Sequence, residues 1–215
     1  QCHGIICFLQ GRIQQMLEGL MSRVKNAGIL IFLCITVTAA TPASAGPPGT
    51  GESVATAVPF QNAPTIDGKI SEGEWDRGVR TEHFVGWKYL DFEARHAVGW
   101  MGFDDDNVYV AVRSDSRPTG LIAEHEMDDG RVVFDSCIEI WLDPNRDNRK
   151  TGKGDLAYYQ FIGNSIGTTK DVKFSLGSPD TGWSVTGEYA NHVDEEKGIW
   201  TAELSIPWTD LGWKK

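Results

Sequence analysis

The sequence predicts an all-β fold, an antiparallel β-sandwich of immunoglobulin-like type. Three segments alternate apolar and other residues with a period of two, which is typical of strands with one face in a core. Clusters of Gly, Asn and Asp separate these segments, as expected of a sandwich with short turns. Residues 120–129 are the one candidate for a short helix. With 215 residues, 40% apolar and 23% charged, the composition is that of a globular protein, which excludes wholesale disorder and a polytopic membrane protein.

The three alternating segments are predicted strands. In each, alternate apolar side chains are expected in the core, and the intervening side chains are expected on a polar or aromatic face. The expected core positions are Val108, Val110 and Val112 in the first, Ile138, Ile140 and Leu142 in the second, and Trp200, Ala202, Leu204 and Ile206 in the third.

Turn residues connect the predicted strands. The run Asp104–Asn107 is expected to be an exposed hairpin tip, with cation binding as the alternative. Gly163–Gly167 matches the G-x-S-x-G pattern of serine hydrolases. That motif requires a strand that leads into a helix. Because the following residues again look like a strand, we interpret this segment as a hairpin turn.

The N-terminal residues are not expected to belong to the fold. Residues 1–20 begin with Gln and are interpreted as upstream read-through. Residues 21–45 have the basic start, apolar run and Ala-x-Ala end of a signal peptide. The apolar run 27–40 is shorter than the ~20 residues that a transmembrane helix needs, although an uncleaved anchor is the alternative. Residues 46–53 form a Gly/Pro linker, and 54–215 the sandwich domain, which is predicted to be secreted or periplasmic after cleavage behind Ala45.

Charge and aromatic content narrow the possible partners. With 20 Lys and Arg against 30 Asp and Glu, the formal net charge is −10. A negative field repels phosphates, so nucleic-acid binding is not expected, and no membrane contact is expected after signal cleavage. Eight tryptophans are unusual for this length. Such rings either fill a core or stack on ligands.

A set of motifs resembles a known family. The motifs are Pro64–Ile70 followed by Glu74–Trp75, Asp104–Ala111, Asp135–Pro144, Tyr158–Phe161 with Asn164 and Gly167, and Trp200–Glu203 with Ile206–Trp208. In this order and spacing they resemble carbohydrate-binding module family 9-like domains of the DOMON-like superfamily. The resemblance implies a β-sandwich that binds glycan chain ends between two tryptophans and carries structural calcium. It also implies a module of a larger secreted polysaccharide-degrading protein.

The resemblance implies a carbohydrate site, but this sequence departs from the family's pattern at three positions. Asp115 and Glu139 align with acidic residues that contact sugar hydroxyls, and Asn164 lies in a matching segment. Val133–Phe134 stands where the family has its first clamp tryptophan, and Ile162 stands near its arginine. The second clamp tryptophan belongs to a later segment, so we expect the last strands and further domains to follow residue 215.

Two aromatic residues are the best candidates for stacking on a sugar. Trp141 lies on the Glu139 side of its strand, opposite Ile138 and Ile140, and Tyr158 is the second candidate. The alternative for Trp141 is burial in the core. Phe134 shares the parity of Ile138, which favours the core for its ring.

A candidate calcium loop follows the second strand. Asp143, Asn145 and Asp147 place oxygen ligands at alternate positions, and Asp155 could complete the set. The spacing is not that of an EF-hand, and a solvated Asx turn is the alternative.

Other functional classes remain open in the sequence. No pair of carboxylates stands out as catalytic, so no catalytic residue is assigned, although a glycoside hydrolase could carry its catalytic residues after Lys215. A haem or electron-transfer module is an alternative because DOMON-like relatives include haem binders, with Met101 and His96 as poorly placed ligands. A structural packing domain is the remaining alternative.

Overall fold

The computed structural model describes residues 55–82, 96–116, 120–144 and 157–213. This part of the chain forms nine strands and one 3-10 turn. They are β1 (Val79–Thr81), β2 (Ala97–Phe103), β3 (Asn107–Asp115), η1 (Val132–Phe134), β4 (Cys137–Leu142), β5 (Tyr158–Asn164), β6 (Thr169–Ser175), β7 (Ser178–Asp180), β8 (Tyr189–Asp194) and β9 (Ile199–Pro207).

Two antiparallel sheets make the sandwich. The first has the order β1-β2-β3-β9-β8, and the second has the order β4-β5-β6-β7. The all-β prediction is therefore confirmed. The three predicted strands are β3, β4 and β9, and their predicted core residues lie between the sheets, where Val110, Ile140 and Leu204 are almost wholly buried.

The outer face of the five-stranded sheet is also covered, which the alternation did not predict. Residues 59–78 cross this face, and Phe60 and Trp75 pack there on Tyr109 and Ala111. The ring of Phe60 meets those of Trp75 and Tyr109 edge-on, at 5.6 and 5.8 Å. Trp75 is thus buried in an outer cluster, and β3 is buried on both faces over residues 108–112.

A buried carboxylate fixes this covering segment. Glu203 is fully buried. One of its oxygens accepts a hydrogen bond from Trp75 Nε1 at 2.9 Å, and the other accepts from the backbone amides of Asp67 and Gly68 at 3.1 and 2.9 Å. Burial raises the pKa of Glu203, while these donors act to lower it. The opening motif and the Trp200–Glu203 motif therefore meet at one structural contact.

The two predicted hairpins are confirmed. Between β2 and β3, the Asp104 carboxylate accepts from the amides of Asp106 and Asn107 at 2.8 Å and from the Tyr109 hydroxyl at 2.7 Å. Residues 163–167 lie in the hairpin that joins β5 to β6, and a strand rather than a helix follows them. The G-x-S-x-G pattern is therefore a turn.

Two local predictions were wrong. Residues 120–129 have no helix, and the only helical turn in the described ranges is η1. Phe134 is not in the core, because 41% of this residue is exposed. The strand period that assigned it to the core stops at η1, because a 3-10 turn rotates successive side chains by about 120° rather than 180°.

The predicted signal peptide and linker lie outside the described residues. Within the described ranges, no helix is long and apolar enough to cross a membrane.

Candidate functional site on the four-stranded sheet

The outer face of the four-stranded sheet carries the densest set of candidate residues. Ile138, Ile140 and Phe161 point between the sheets, so the period of two directs their neighbours to the opposite face. Cross-strand pairing then aligns these outward residues in rows: Glu139 with Ile162, Trp141 with Gln160, and Tyr158 with Phe174. We call Glu139, Trp141, Tyr158, Gln160 and Phe174 the outer-face site.

Three aromatic rings stack at one end of the outer-face site. The rings of Tyr158 and Phe174 are nearly parallel, with centroids 4.7 Å apart and planes inclined by 5°. Trp141 lies 5.4 Å from Phe174 at 28° and 5.6 Å from Tyr158 at 33°. All three rings are only partly buried. They form a stacked row of roughly parallel rings across three adjacent strands.

Glu139 lies beside this surface and is almost wholly buried, since only 2% of the residue is exposed. Its Oε1 accepts hydrogen bonds from Trp141 Nε1 at 2.7 Å and from Gln160 Nε2. Its Oε2 is buried and has no hydrogen-bond donor in the described part of the chain. Burial raises the pKa of Glu139 to about 7, although the two donors act to lower it.

Glu139 is therefore a buried carboxylate with one oxygen to which no described residue donates a hydrogen bond. Leaving a buried acceptor without a donor costs about 1–3 kcal/mol, and more when it is charged. Perturbed, incompletely paired acids of this kind concentrate at functional sites.

A fully bonded polar cluster lies at the other end of the same face. Asp135 accepts hydrogen bonds from the amides of Glu124 and His125, from His125 Nδ1 at 2.8 Å and from Asn164 Nδ2 at 2.8 Å. Burial acts to raise the pKa of Asp135, but these donors outweigh it and the pKa lies below its usual value. The exposed ring of Phe134 lies 6.3 Å from that of His125.

Asn164 is part of this cluster, with no capacity left over. Its Nδ2 donates to His125 O and to Asp135, and its Oδ1 accepts from the amides of Ile166 and Thr168. These four bonds use both donors and both acceptor sites of the amide. In this structure Asn164 holds the loop and the hairpin.

The structure brings three of the predicted sugar-binding residues together on one sheet and places Asp115 on the other sheet. Glu139, Trp141 and Tyr158 share the outer-face site, and Asn164 follows two residues after Ile162 on the same strand. Asp115 lies at the end of β3 in the other sheet, where it accepts from the His96 amide at 3.3 Å. A ligand on Glu139 therefore does not also contact Asp115 through this face.

Phe174 and Gln160 are site residues that the sequence analysis missed. A signal for Phe174 was present: once 163–167 is a hairpin turn, pairing of Gly163 with Thr169 places Phe174 opposite Tyr158. Gln160 lies opposite Trp141 through a different register, that of β4 with β5. The cluster of His125 and Asp135 gave no such signal, because it depends on the path of the 120–131 loop.

Asp143 is the one predicted calcium ligand among the described residues. Its Oδ1 is buried and has no hydrogen-bond partner in the described ranges, an environment that a cation would relieve. Asn145, Asp147 and Asp155 lie outside the described residues. Within those ranges, no group of three or more His, Cys, Asp or Glu side chains is placed to hold a metal.

Comparison with known proteins shows the fold. No family model and no curated protein matches the sequence. Among solved structures, a "putative carbohydrate-binding protein" from Bacteroides uniformis aligns with a TM-score of 0.53 and 15% identity, over 86% of this chain and 76% of that one. The two chains share a fold. At the level of fold, this agrees with the family resemblance of the sequence motifs.

Two further structures align less well. Both are of a carbohydrate-binding module family 9 domain from Caldicellulosiruptor kristjanssonii. The complex with cellotriose has a TM-score of 0.45 and 14% identity, over 82% of this chain and 67% of that one. The complex with glucose has a TM-score of 0.47 and 13% identity, over 82% and 68%.

Proposed function

We propose that this protein is a non-catalytic carbohydrate-binding domain, and that the sugar binds at the outer-face site. One observation carries the proposal: a stacked aromatic surface of Trp141, Tyr158 and Phe174 adjoins a buried Glu139 oxygen that has no hydrogen-bond donor among the described residues. The assignment of the Bacteroides uniformis protein to carbohydrate binding agrees with it.

The two parts of the site suit the two surfaces of a sugar. The C–H face of a pyranose is apolar and gains about 25 cal/mol for each Å² that aromatic rings remove from water. The hydroxyl groups at the ring edge are donors, and a carboxylate accepts them in short, charge-assisted hydrogen bonds. A hydroxyl donated to Glu139 Oε2 would supply the donor that the fold leaves out.

Export and association with polysaccharide-degrading domains belong to the same proposal. They rest on the signal-peptide pattern of 21–45 and on the resemblance of the motifs. A binding domain of this kind raises the local concentration of its polysaccharide at a linked catalytic domain.

We also propose structural calcium at the loop that begins with Asp143. The buried Oδ1 of Asp143 supports it, and hard carboxylate oxygens are the ligands that calcium prefers. If calcium is bound, addition of a chelator will lower the melting temperature and added calcium will restore it. An unchanged melting temperature with chelator would remove calcium from the proposal.

A haem or electron-transfer function receives no support from the described residues. Met101 is completely buried between the sheets, whereas His96 lies just before β2, with its side chain 59% exposed. Two axial ligands must face one pocket, and these two do not.

The proposed function is tested by calorimetric titration with cello- and xylo-oligosaccharides. We expect Trp141→Ala to weaken binding at least tenfold, about 1.4 kcal/mol. Trp213→Ala is the matched control, since Trp213 is 47% exposed and contacts Trp208 away from this face. The Trp213→Ala variant should bind the oligosaccharides with the affinity of the wild type.

A second pair of variants tests the carboxylate. Glu139→Gln keeps the shape of the side chain but removes the charge, and we expect roughly tenfold weaker binding. Glu188→Gln, at an exposed position, is the control. Absence of heat with every sugar, from a folded wild-type sample, would contradict carbohydrate binding and favour a packing domain.

A further inference from the structure

A second concave surface lies on the opposite side of the molecule from the outer-face site. It is an open groove on the outer face of the five-stranded sheet, with a volume of about 590 Å³. Small-molecule sites span roughly 300–1,000 Å³, so the groove has the size of a binding site. We call it the β3–β9 groove.

Cross-strand pairing places three polar side chains in one row across the floor of the β3–β9 groove. Arg113 pairs with Thr201, and Thr201 pairs with His192. Neighbouring strands lie about 4.8 Å apart, so the row extends over the width of a sugar ring. The Thr201 hydroxyl donates to the Gly68 carbonyl at 2.6 Å, which fixes the middle of the row against the covering segment.

Apolar side chains provide the walls of the groove. Trp100 from β2, Ile70 from the covering segment and Ile199 from β9 all line it, and all are partly buried. Apolar walls around a polar row are the surface that a ring with polar substituents requires.

The groove lining carries three basic and three acidic side chains, and Arg113 is the basic group in its floor row. Arg113 is exposed, and its side chain makes no hydrogen bond or ion pair with any other described residue. The ammonium group of Lys69 is also exposed and also has no such partner among the described residues. Lys197 is different, because it pairs with Asp194 at 2.7 Å. Arg113 and Lys69 are thus two cations without a side-chain partner among the described residues.

Three acidic side chains also line the groove, but none of them belongs to the floor row that contains Arg113. Asp194 is neutralised by Lys197, whose hydrogen bonds lower the pKa of that carboxyl. Glu72 and Asp76 belong to the exposed turn of the covering segment, apart from the floor row of β3, β9 and β8.

We propose that the β3–β9 groove binds an acidic sugar, with the ligand carboxylate paired to Arg113 and its ring against Trp100. The guanidinium is a planar fork that matches a carboxylate in a bidentate pair. This inference does not depend on the outer-face site, which belongs to the other sheet. Asp115 lies two residues after Arg113 on β3 and pairs with Ile199, but it does not line the groove.

Titration of the full chain with trigalacturonate tests this inference. We expect saturable binding that Arg113→Gln weakens at least tenfold and Lys69→Gln weakens to a smaller extent. The fully methyl-esterified trisaccharide has the same rings without the charge, and it should bind as weakly as the acid binds to Arg113→Gln. Because Arg113 and Lys69 are exposed, both variants should keep the wild-type melting temperature.

Two further variants serve as matched controls. Arg131→Gln makes the same charge change next to η1, on the side of the other sheet, and Trp141→Ala removes the aromatic ring of the outer-face site. Neither should change the affinity for trigalacturonate by more than about twofold. Equal losses in Arg113→Gln and Arg131→Gln would reduce the effect to net charge and overturn the proposal.

Three other results would also overturn it: no binding by folded wild-type protein, equal binding of the ester, or loss of binding in Trp141→Ala. The last result would place acidic sugars at the outer-face site. Titration of the same variants with cellotriose shows separately whether the outer-face site binds neutral sugar, so failure of one proposal is distinguishable from failure of the other.

Discussion

At the scale of single residues, Glu139 has an environment that favours its neutral form. It is buried, one oxygen has two donors and the other has none in the described part of the chain. Protonation removes the charge that burial penalises, so its pKa rises to about 7. Both the stability of the fold and the proposed sugar binding must therefore depend on pH through this residue.

The stability dependence has a definite sign. Between the unfolded pKa of about 4.5 and the folded pKa of about 7, the native state binds more protons at Glu139 than the unfolded state does. The free energy of unfolding therefore falls as pH rises through this window. The shift corresponds to roughly 3 kcal/mol at full effect. We expect Glu139→Gln to be more stable than wild type at pH 8, with a smaller difference at pH 5.

Urea denaturation of both proteins at the two pH values measures this difference, because the variant and the wild type share all other titrating groups. Glu188→Gln, a substitution at an exposed position, should have the same free energy of unfolding as the wild type at both pH values. A Glu139→Gln variant with the same pH dependence as wild type would contradict the account of Glu139.

Sugar affinity should change with pH in the opposite direction. Hydroxyl donors bind the carboxylate rather than the carboxylic acid, so ligand binding lowers the pKa of Glu139. Affinity should therefore rise as pH increases towards and through about 7 and level off above it. Calorimetry between pH 5.5 and 8.5 measures this, and Glu139→Gln should show a flat profile. A wild-type profile as flat as that of the variant would exclude Glu139 from the ligand contacts.

At the scale of elements, the segment 59–78 and its contact with Glu203 bring distant motifs together. Gly68 is the critical position in this contact. Its φ is +83°, and a Cβ built there would lie 2.5 Å from the backbone carbon of Asn191. Both the left-handed conformation and the close approach require glycine.

Gly68→Ala should destabilise the fold by about 2 kcal/mol or more, since backbone strain of about 1 kcal/mol or more adds to a steric clash. Gly73→Ala is a matched control, because Gly73 has φ of +80° but open space around its Cβ position. It should cost only the strain, about 1 kcal/mol. Thermal or urea denaturation of the two variants measures the difference. Equal destabilisation would mean that the contact with Asn191 contributes nothing.

The sequence predicted elements best where their own pattern decides the structure. The cores of β3, β4 and β9 follow from alternation, and the turn at 163–167 follows from its residues. The cover over the five-stranded sheet could not be predicted this way, because alternation does not say what packs on the second face. Glu203 illustrates this: as a charged residue it was expected on a polar face, but Trp75 and two backbone amides make its burial possible.

The candidate site was predicted in part for a related reason. Trp141 and Glu139 were recognised as neighbours because they belong to one strand. Phe174 required the register of the β5–β6 hairpin. The assignment of Phe134 to the core failed because it extended the period of β4 back through η1.

At the scale of the whole molecule, the two sheets give the sandwich two independent outer faces. One carries the outer-face site, with an aromatic surface and one buried carboxylate. The other carries the β3–β9 groove, with two cations that have no side-chain partner in the described part of the chain. Because different strands build them, we expect a neutral and an acidic oligosaccharide to bind at the same time. Titration of one sugar into protein saturated with the other should give an unchanged affinity, whereas direct competition would show a single shared site.

The most direct test of the central claim is to map where a neutral oligosaccharide binds. Amide chemical shifts, recorded by NMR during titration with cello- or xylo-oligosaccharides, give this for the whole domain at once. The account predicts that the largest changes fall at residues 139–141, 158–160 and 172–174, and at the indole Nε1 of Trp141. Changes concentrated at residues 69–76, 113 and 192–201 instead, with 139–141 unaffected, would contradict the assignment of the sugar to the four-stranded sheet.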